Sequence, residues 1–244
     1  KSPNSSSTPP SPAWVEPKER GHSCPLKPMH SQAEHDKWAL NDPAAFLNPH
    51  GEIDIEKNRL PHWQQGVAWI FVTWRLADSL PKEKLARWRE ERRIWLSLHP
   101  KPWDKSTESE YHSRFSKSID AWLDRGHGTC ILKKNPLASI VADALNYFDD
   151  ERYRLAAYVV MPNHVHVLFQ PLKEYSLAAL IKTWKGYTAR KINEVLGNSG
   201  MFWGEDYWDR LMRDPKHFTR TLEYIRKNPK KANLKHGEYL LWIR

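Results

Sequence analysis

Apolar residues fall into runs of different period along this chain. Val67 to Leu76, VAWIFVTWRL, is β-branched and aromatic without alternation, which predicts a strand buried on both faces. Lys82 to Leu98 is highly charged, with Leu85, Trp88, Ile94, Trp95 and Leu98 as an apolar helical stripe. Thr107 and Glu110 form a capping box for a second helix that ends before Gly126, and Asn135 with Pro136 caps a third, PLASIVADALNYF. Tyr153 to Val160 and His164 to Gln170 are strand-like runs joined by Met161-Pro162-Asn163, which predicts a hairpin.

Behind Ser176, an N-cap, apolar residues recur at Leu177, Leu180, Ile181, Trp184, Ile192 and Val195 up to Gly197, the pattern of a long amphipathic helix. Its polar side carries Lys182, Lys185, Arg190 and Lys191. FWGEDYWDRLMR can hold one more strand. A last helix starts at Asp214 and Pro215 and is expected to end near Asn228, because Pro229 disfavours a helical residue before it. Strands interleaved with helices around an antiparallel hairpin predict an α+β sandwich, a mostly antiparallel sheet with helices packed on it. Residues 1–60 divide into a Ser/Pro-rich leader and an irregular extended arm, and 61–244 form the folded domain, with a helical insertion over about 82–125 after the first strand.

Composition narrows the class. Among 244 residues, 13 Trp, 9 Tyr and 7 Phe are more aromatic side chains than a disordered chain carries, so the bulk should fold. Two cysteines, Cys24 and Cys130, cannot build a disulfide framework, no run approaches a membrane span, and the first residues lack a signal-peptide core. The expectation is therefore a cytoplasmic protein without a membrane. A zinc site from His22, Cys24 and His30 has the wrong spacing for a finger. The net charge is +9, and residues 176–244 hold fourteen basic against seven acidic side chains, which points to a polyanion such as nucleic acid or to an ordinary solvated Lys-rich surface.

Candidate chemistry begins at His164-Val165-His166. Alternation along a strand sends both imidazoles to one face and Val165 to the other, although such a triplet by itself is more often incidental than metallic. On the last helix Tyr224 and Asn228 are four residues apart and stack on one face beside the stripe of Phe218, Leu222 and Ile225. Singly, a tyrosine there is a packing residue and an asparagine before proline is a helix terminator. Taken together, His, His and Asn are neutral ligands that leave a divalent cation its full charge for polarising a phosphate oxygen, with the phenol as nucleophile. Tyr187 competes for that role, but its i+4 neighbour is Lys191, which cannot ligate a metal when protonated.

These residues resemble a family. YVVMPNHVHVL, TWKGYTARKIN, and WDRLMRD leading to YIRKNPKKANL are similar to the REP-associated tyrosine transposases of the HUH superfamily, as are LPHWQQG and FVTWRLADSLP upstream, so the resemblance spans roughly Leu60 to Leu234. It implies a ferredoxin-like or RRM-like sandwich. It also implies His164, His166 and Asn228 as ligands of Mg or Mn, Tyr224 as the catalytic tyrosine, and single-stranded DNA with a hairpin as the partner, handled by a monomer or homodimer in the bacterial cytoplasm near the nucleoid. Lys182, Lys185, Arg190, Lys191 and Arg213 are then candidates for phosphate contacts, and Trp184 and Tyr187 for stacking on bases. After Asn-Pro this chain reads Lys230-Lys231-Ala232-Asn233-Leu234 where the family has Val-x-Ala-Gly-Leu; Asn233 tolerates the left-handed conformation that Gly supplies, so the turn is expected to survive. The implied activity is cutting and rejoining of single strands through a 5′-phosphotyrosine. A hairpin-binding protein without catalysis and a hydrolase that activates water are the alternatives.

Overall fold

The computed structural model describes residues 38, 40–57, 61–100 and 103–244. Strands β1 (Asp54–Lys57) and β2 (Pro61–Gln64) pair in a small antiparallel sheet. β3 (Ile70–Leu76) leads into the helical insertion, α1 (Lys82–Leu98), α2 (Lys105–Tyr111) and α3 (Lys117–Leu123), and then into α4 (Asn135–Asn146). The hairpin of β4 (Tyr153–Val160) and β5 (His164–Pro171) follows, then α5 (Leu177–Leu196), β6 (Trp203–Leu211), α6 (Pro215–Lys231) and β7 (Leu240–Ile243).

The main sheet is antiparallel with spatial order β6-β3-β5-β4-β7. Taken without the added edge strand β7, the βαββαβ connection with its first and third strands at the centre is the split βαβ arrangement of a ferredoxin-like sandwich, the fold class expected from the sequence. Two hydrophobic layers follow from the two-residue period of the strands. Ile70, Val72, Trp74, Val165, Val167 and Phe169 face one side and are covered by α4 and α5. Trp69, Phe71 and Leu168 face the other and are covered by Phe218, Leu222 and Ile225 of α6. The insertion has a cluster of its own from Leu80, Leu85, Trp88, Trp95, Phe115, Ile119 and Leu123, against which Trp208 of β6 packs. Because Trp208 pairs across from Thr73, and Thr73 from His166, the insertion sits on the α6 side of the sheet.

Several local expectations need correction. The second helix is capped by Asp104, which accepts from the Thr107 amide at 2.7 Å, so Thr107 and Glu110 do not form the cap. It passes through a π turn at His112–Ser116, a wider turn that interrupts α geometry between α2 and α3. α4 has no side-chain cap; Asn135 already lies inside it. Ile94 and Leu98 of α1 are exposed, at 46% and 70%, because Leu85, Trp88 and Trp95 suffice to hold that helix down. α6 runs past Asn228 through Pro229 to Lys231. Proline removes a single backbone donor, and in the last turn little ladder remains to be lost. The helix closes with Asn233 at φ 54°, its amide reaching Lys230 O at 3.1 Å and Leu234 N reaching Pro229 O at 2.9 Å, a Schellman pattern in which asparagine stands in the glycine position as expected.

The stretch read as an extended arm is partly packed: Trp38, Leu40, Ala45 and Phe46 are buried in the α6 layer. Trp38 stands edge-on to Trp69 and touches Phe218, so aromatic contact fixes a segment that has no regular period. The Ser/Pro-rich leader and the His22, Cys24, His30 cluster lie outside the described residues. Among the described residues no helix is long and apolar enough to cross a membrane.

Candidate active site

Both imidazoles of His164-Val165-His166 point to the α6 side of β5 and are fully buried, as strand alternation requires. Their Nε2 atoms are 3.1 Å apart. Burial pushes His164 down to about 3 and His166 well below the usual imidazole range, helped by the nearby Lys231 ammonium, so both rings are neutral at physiological pH. Each Nδ1 is engaged from behind, in His164 by Asn163 Oδ1 at 2.7 Å and in His166 by Thr73 Oγ1 at 2.7 Å.

α6 brings the other two candidates to the same spot. Asn228 is buried, with Nδ2 at 3.4 Å from His166 Nε2, while its Oδ1 is buried and unpartnered. An orphaned amide oxygen beside two imidazole nitrogens fits a divalent cation, since an uncompensated buried acceptor is otherwise costly. No group of three His, Cys, Asp or Glu side chains able to hold a metal occurs among the described residues, so a cation held by the two imidazoles would need this amide as a third protein ligand. The donor set fits manganese better than magnesium, because imidazole nitrogen is softer than the oxygen that magnesium prefers.

Tyr224, one turn before Asn228, packs edge-on to His166 with ring centroids 5.3 Å apart and to Phe71 at 5.9 Å. Its hydroxyl is buried and lacks a close hydrogen-bond partner; Asp120 addresses it in a side-chain contact too loose to satisfy it. Burial, followed by the Asp120 and Asp124 carboxylates, drives the phenol far above its ordinary value, and Arg210 opposes them. Asp120 is itself lifted by desolvation to about 6, against the pull of Arg210 and Lys231. It lines a cavity of about 70 Å³ with Thr73, Arg92, Tyr111, Trp208 and Arg210.

Asp120, Asn163, Thr73, Arg92 and Arg210 are residues that pattern reading missed. Thr73 and Asn163 lie inside motifs that mark a strand and a turn, and Asp120, on the insertion, gives no sequence signal of its partner. The expected nucleic-acid contacts need revision in turn. Trp184 is 3% exposed, stacks on Trp74 and donates Nε1–H to Tyr153 Oη at 3.0 Å, so it is a core residue and cannot stack on a base. Lys185 is spent on the carbonyls of Gly204 and Glu205, at 2.8 and 2.9 Å, and its desolvated ammonium falls to about 8. Lys182, Tyr187 and Arg190 are exposed and Lys191 pairs with Glu194, but all stand on α5, across the sheet from the histidines. Arg213 is exposed at the start of α6. Arg75, opposite His164 in register, is buried and bonded to Leu76 O, Ala77 O and Ser79, so it serves the fold.

Two buried imidazoles, a carboxamide and a phenol thus come together on one face of an antiparallel sheet. Residues 132–228, which contain all four, match the family described as IS200-like transposase. Over that stretch the chain is similar to that transposase family, and the resemblance seen in the motifs is borne out at that level. Two solved structures are similar over most of the chain. One, a REP-associated tyrosine transposase bound to a REP hairpin, is 13% identical, covers 74% of this chain and 76% of its own, and has a TM-score of 0.40. The other, from Deinococcus radiodurans R1 and described as a candidate transposase, is 16% identical over 68% and 93% with a TM-score of 0.29. At these scores neither overlay adds to the argument. No curated protein matches the chain.

Proposed function

We propose that this protein is a transposase that cuts and rejoins single-stranded DNA beside a folded hairpin, with Tyr224 as nucleophile. The observation that carries the reading is the packing of the Tyr224 ring against His166, whose Nε2 also meets His164 and Asn228. His164, His166 and Asn228 would hold Mn or Mg, which when bound supplies positive charge to a phosphate oxygen. Tyr224 Oη attacks the scissile phosphorus, the P–O3′ bond breaks, and the 3′ oxygen leaves and takes up a proton, giving a 5′-phosphotyrosine. The phenol's proton passes to Asp120, the carboxylate whose charge and loose hydrogen bond already act on that hydroxyl. A 3′-hydroxyl reverses the step, so the phosphodiester energy is kept and no nucleotide cofactor is required. Arg210 and Arg92, on the wall of the adjoining cavity, would be the cations that meet DNA phosphates on this face of the sheet, Arg92 while also bonded to Tyr111.

The test is a denaturing gel after incubation of the protein with hairpin-bearing single strands and Mn. A covalent protein–DNA adduct that is absent in Tyr224→Phe supports the reading. An adduct that persists in Tyr224→Phe refutes the nucleophile, cleavage without any adduct favours activated water, and binding without cleavage favours a protein that only recognises hairpins.

A further inference from the structure

Asn163, in the turn between β4 and β5, is 1% exposed and has no part in the scheme above. Its contacts fix which way its amide points. Nδ2 donates to the Leu123 carbonyl at 3.2 Å and to the His127 carbonyl at 3.1 Å. Carbonyls only accept, so the nitrogen must face them and the oxygen must face His164 Nδ1, 2.7 Å away. An amide oxygen has no proton to give. The contact is a hydrogen bond only when Nδ1 of His164 carries the proton, and a neutral imidazole then keeps its lone pair on Nε2, the atom turned toward His166.

His166 is held differently. Its Nδ1 meets the Thr73 hydroxyl at 2.7 Å, and a hydroxyl donates or accepts by rotating. Two facing lone pairs 3.1 Å apart would repel, so in the metal-free protein the His166 proton belongs on Nε2, donated to His164, with Thr73 donating to Nδ1; the Asn228 Nδ2, 3.4 Å from that nitrogen, then makes no hydrogen bond to it. Ligation by both Nε2 atoms needs that proton on Nδ1, with Thr73 turned to acceptor. One ring is fixed and the other is adaptable.

The partners of Asn163 belong to the end of the helical insertion. Leu123 is the last residue of α3, and His127 follows in the loop. That end is clamped: Lys231 of α6 bridges to Asp124 at 2.7 Å, and the Thr129 amide bonds Asp78 Oδ2 at 2.7 Å. Gly128 has φ 88°, and a Cβ there would lie 2.7 Å from Asp78 O, so the loop passes too close to the β3–α1 turn for any side chain.

We propose that Asn163 is a positioning residue that locks His164 in its Nδ1-protonated tautomer, and that the docked end of the helical insertion aims it, so the insertion prepares the cation site. The proposal rests on the reading of His164 and His166 as metal ligands, but the lock exists without a metal and can be measured without one.

The experiment uses the full chain with ¹⁵N-labelled histidine. Long-range ¹H–¹⁵N spectra of the metal-free protein should show His164 protonated at Nδ1. In Asn163→Ala that signature should be lost, while Asn163→Asp, which gives up both bonds to the insertion but keeps an acceptor for Nδ1–H, should retain it in part; a residue that merely fills space would not separate the two. Calorimetric titration with Mn²⁺ should give weaker binding for Asn163→Ala by about 10–100-fold, the usual cost of losing the partner behind a ligating histidine. Wild-type His164 protonated at Nε2 would overturn the proposal even if no variant folds, and so would an unchanged Mn²⁺ affinity in folded Asn163→Ala. Wild type that shows the Nδ1 tautomer but binds no Mn²⁺ upholds the lock and refutes the cation reading alone.

Discussion

Replacing Asp120 by asparagine separates the function of that carboxylate from its cost to the fold. Burial lifts the group from 3.8 to about 6, with Arg210 and Lys231 pulling the other way. About two pKa units correspond to roughly 3 kcal/mol between the charged and neutral forms. Asparagine leaves those two cations with one anion fewer, so a net gain of about 1–3 kcal/mol is expected at neutral pH. Because the folded pKa lies above the unfolded one, the stability that proton binding lends is complete below about pH 4 and is lost as pH rises through about 6. Asn has no such loss. Urea unfolding of wild type and Asp120→Asn across that range should therefore show nearly equal stability at the acid end and a growing advantage of the variant toward pH 8. As proton acceptor, Asp120 should also make the wild-type cleavage rate climb through about pH 6. The variant should lack that limb and cut about 10²–10⁴-fold more slowly. A stability difference that does not change with pH, or a variant less stable at pH 8, would refute the burial argument. Undiminished cleavage would refute the catalytic one.

Trp184→Ala should destabilise the protein by about 3–5 kcal/mol in urea unfolding, because it empties core volume between Trp74 and Phe169; a variant of native stability but weakened DNA binding would restore the stacking assignment. Arg190→Gln, on the far side of the sheet, should leave cleavage rate and salt dependence of binding unchanged, whereas Arg210→Gln should slow cleavage and lower the logarithmic salt slope by about 0.7. The reverse result would put the DNA on α5. Asn233→Gly should be neutral or stabilise by up to about 1 kcal/mol and Asn233→Val should cost more than that, as read by thermal unfolding, because only the glycine enters φ 54° without strain. Mn²⁺ should bind more tightly than Mg²⁺ in calorimetry, and equal affinities would count against two imidazole ligands.

Local geometry explains what could be read from the chain alone. A two-residue period puts His164 and His166 on one face, an i to i+4 spacing stacks Tyr224 and Asn228, and a left-handed cap suits Asn233; each depends on neighbours within a turn or a strand. The strand and helix order was legible for the same reason, since runs such as VAWIFVTWRL and the stripe of α5 carry their period with them. Which side of the sheet a helix covers is not local. It follows from strand order and from the crossovers through α4 and α5, each joining parallel strands with one strand between them, and this put α5 with its Lys and Arg stripe opposite the histidines and sank Trp184 into the core. Only the tertiary structure joined Asp120 to Tyr224, Thr73 to His166, and the carbonyls of Leu123 and His127 to Asn163. Those pairs are separated by 36 to 104 residues, and the close packing of two layers and an insertion brings them together.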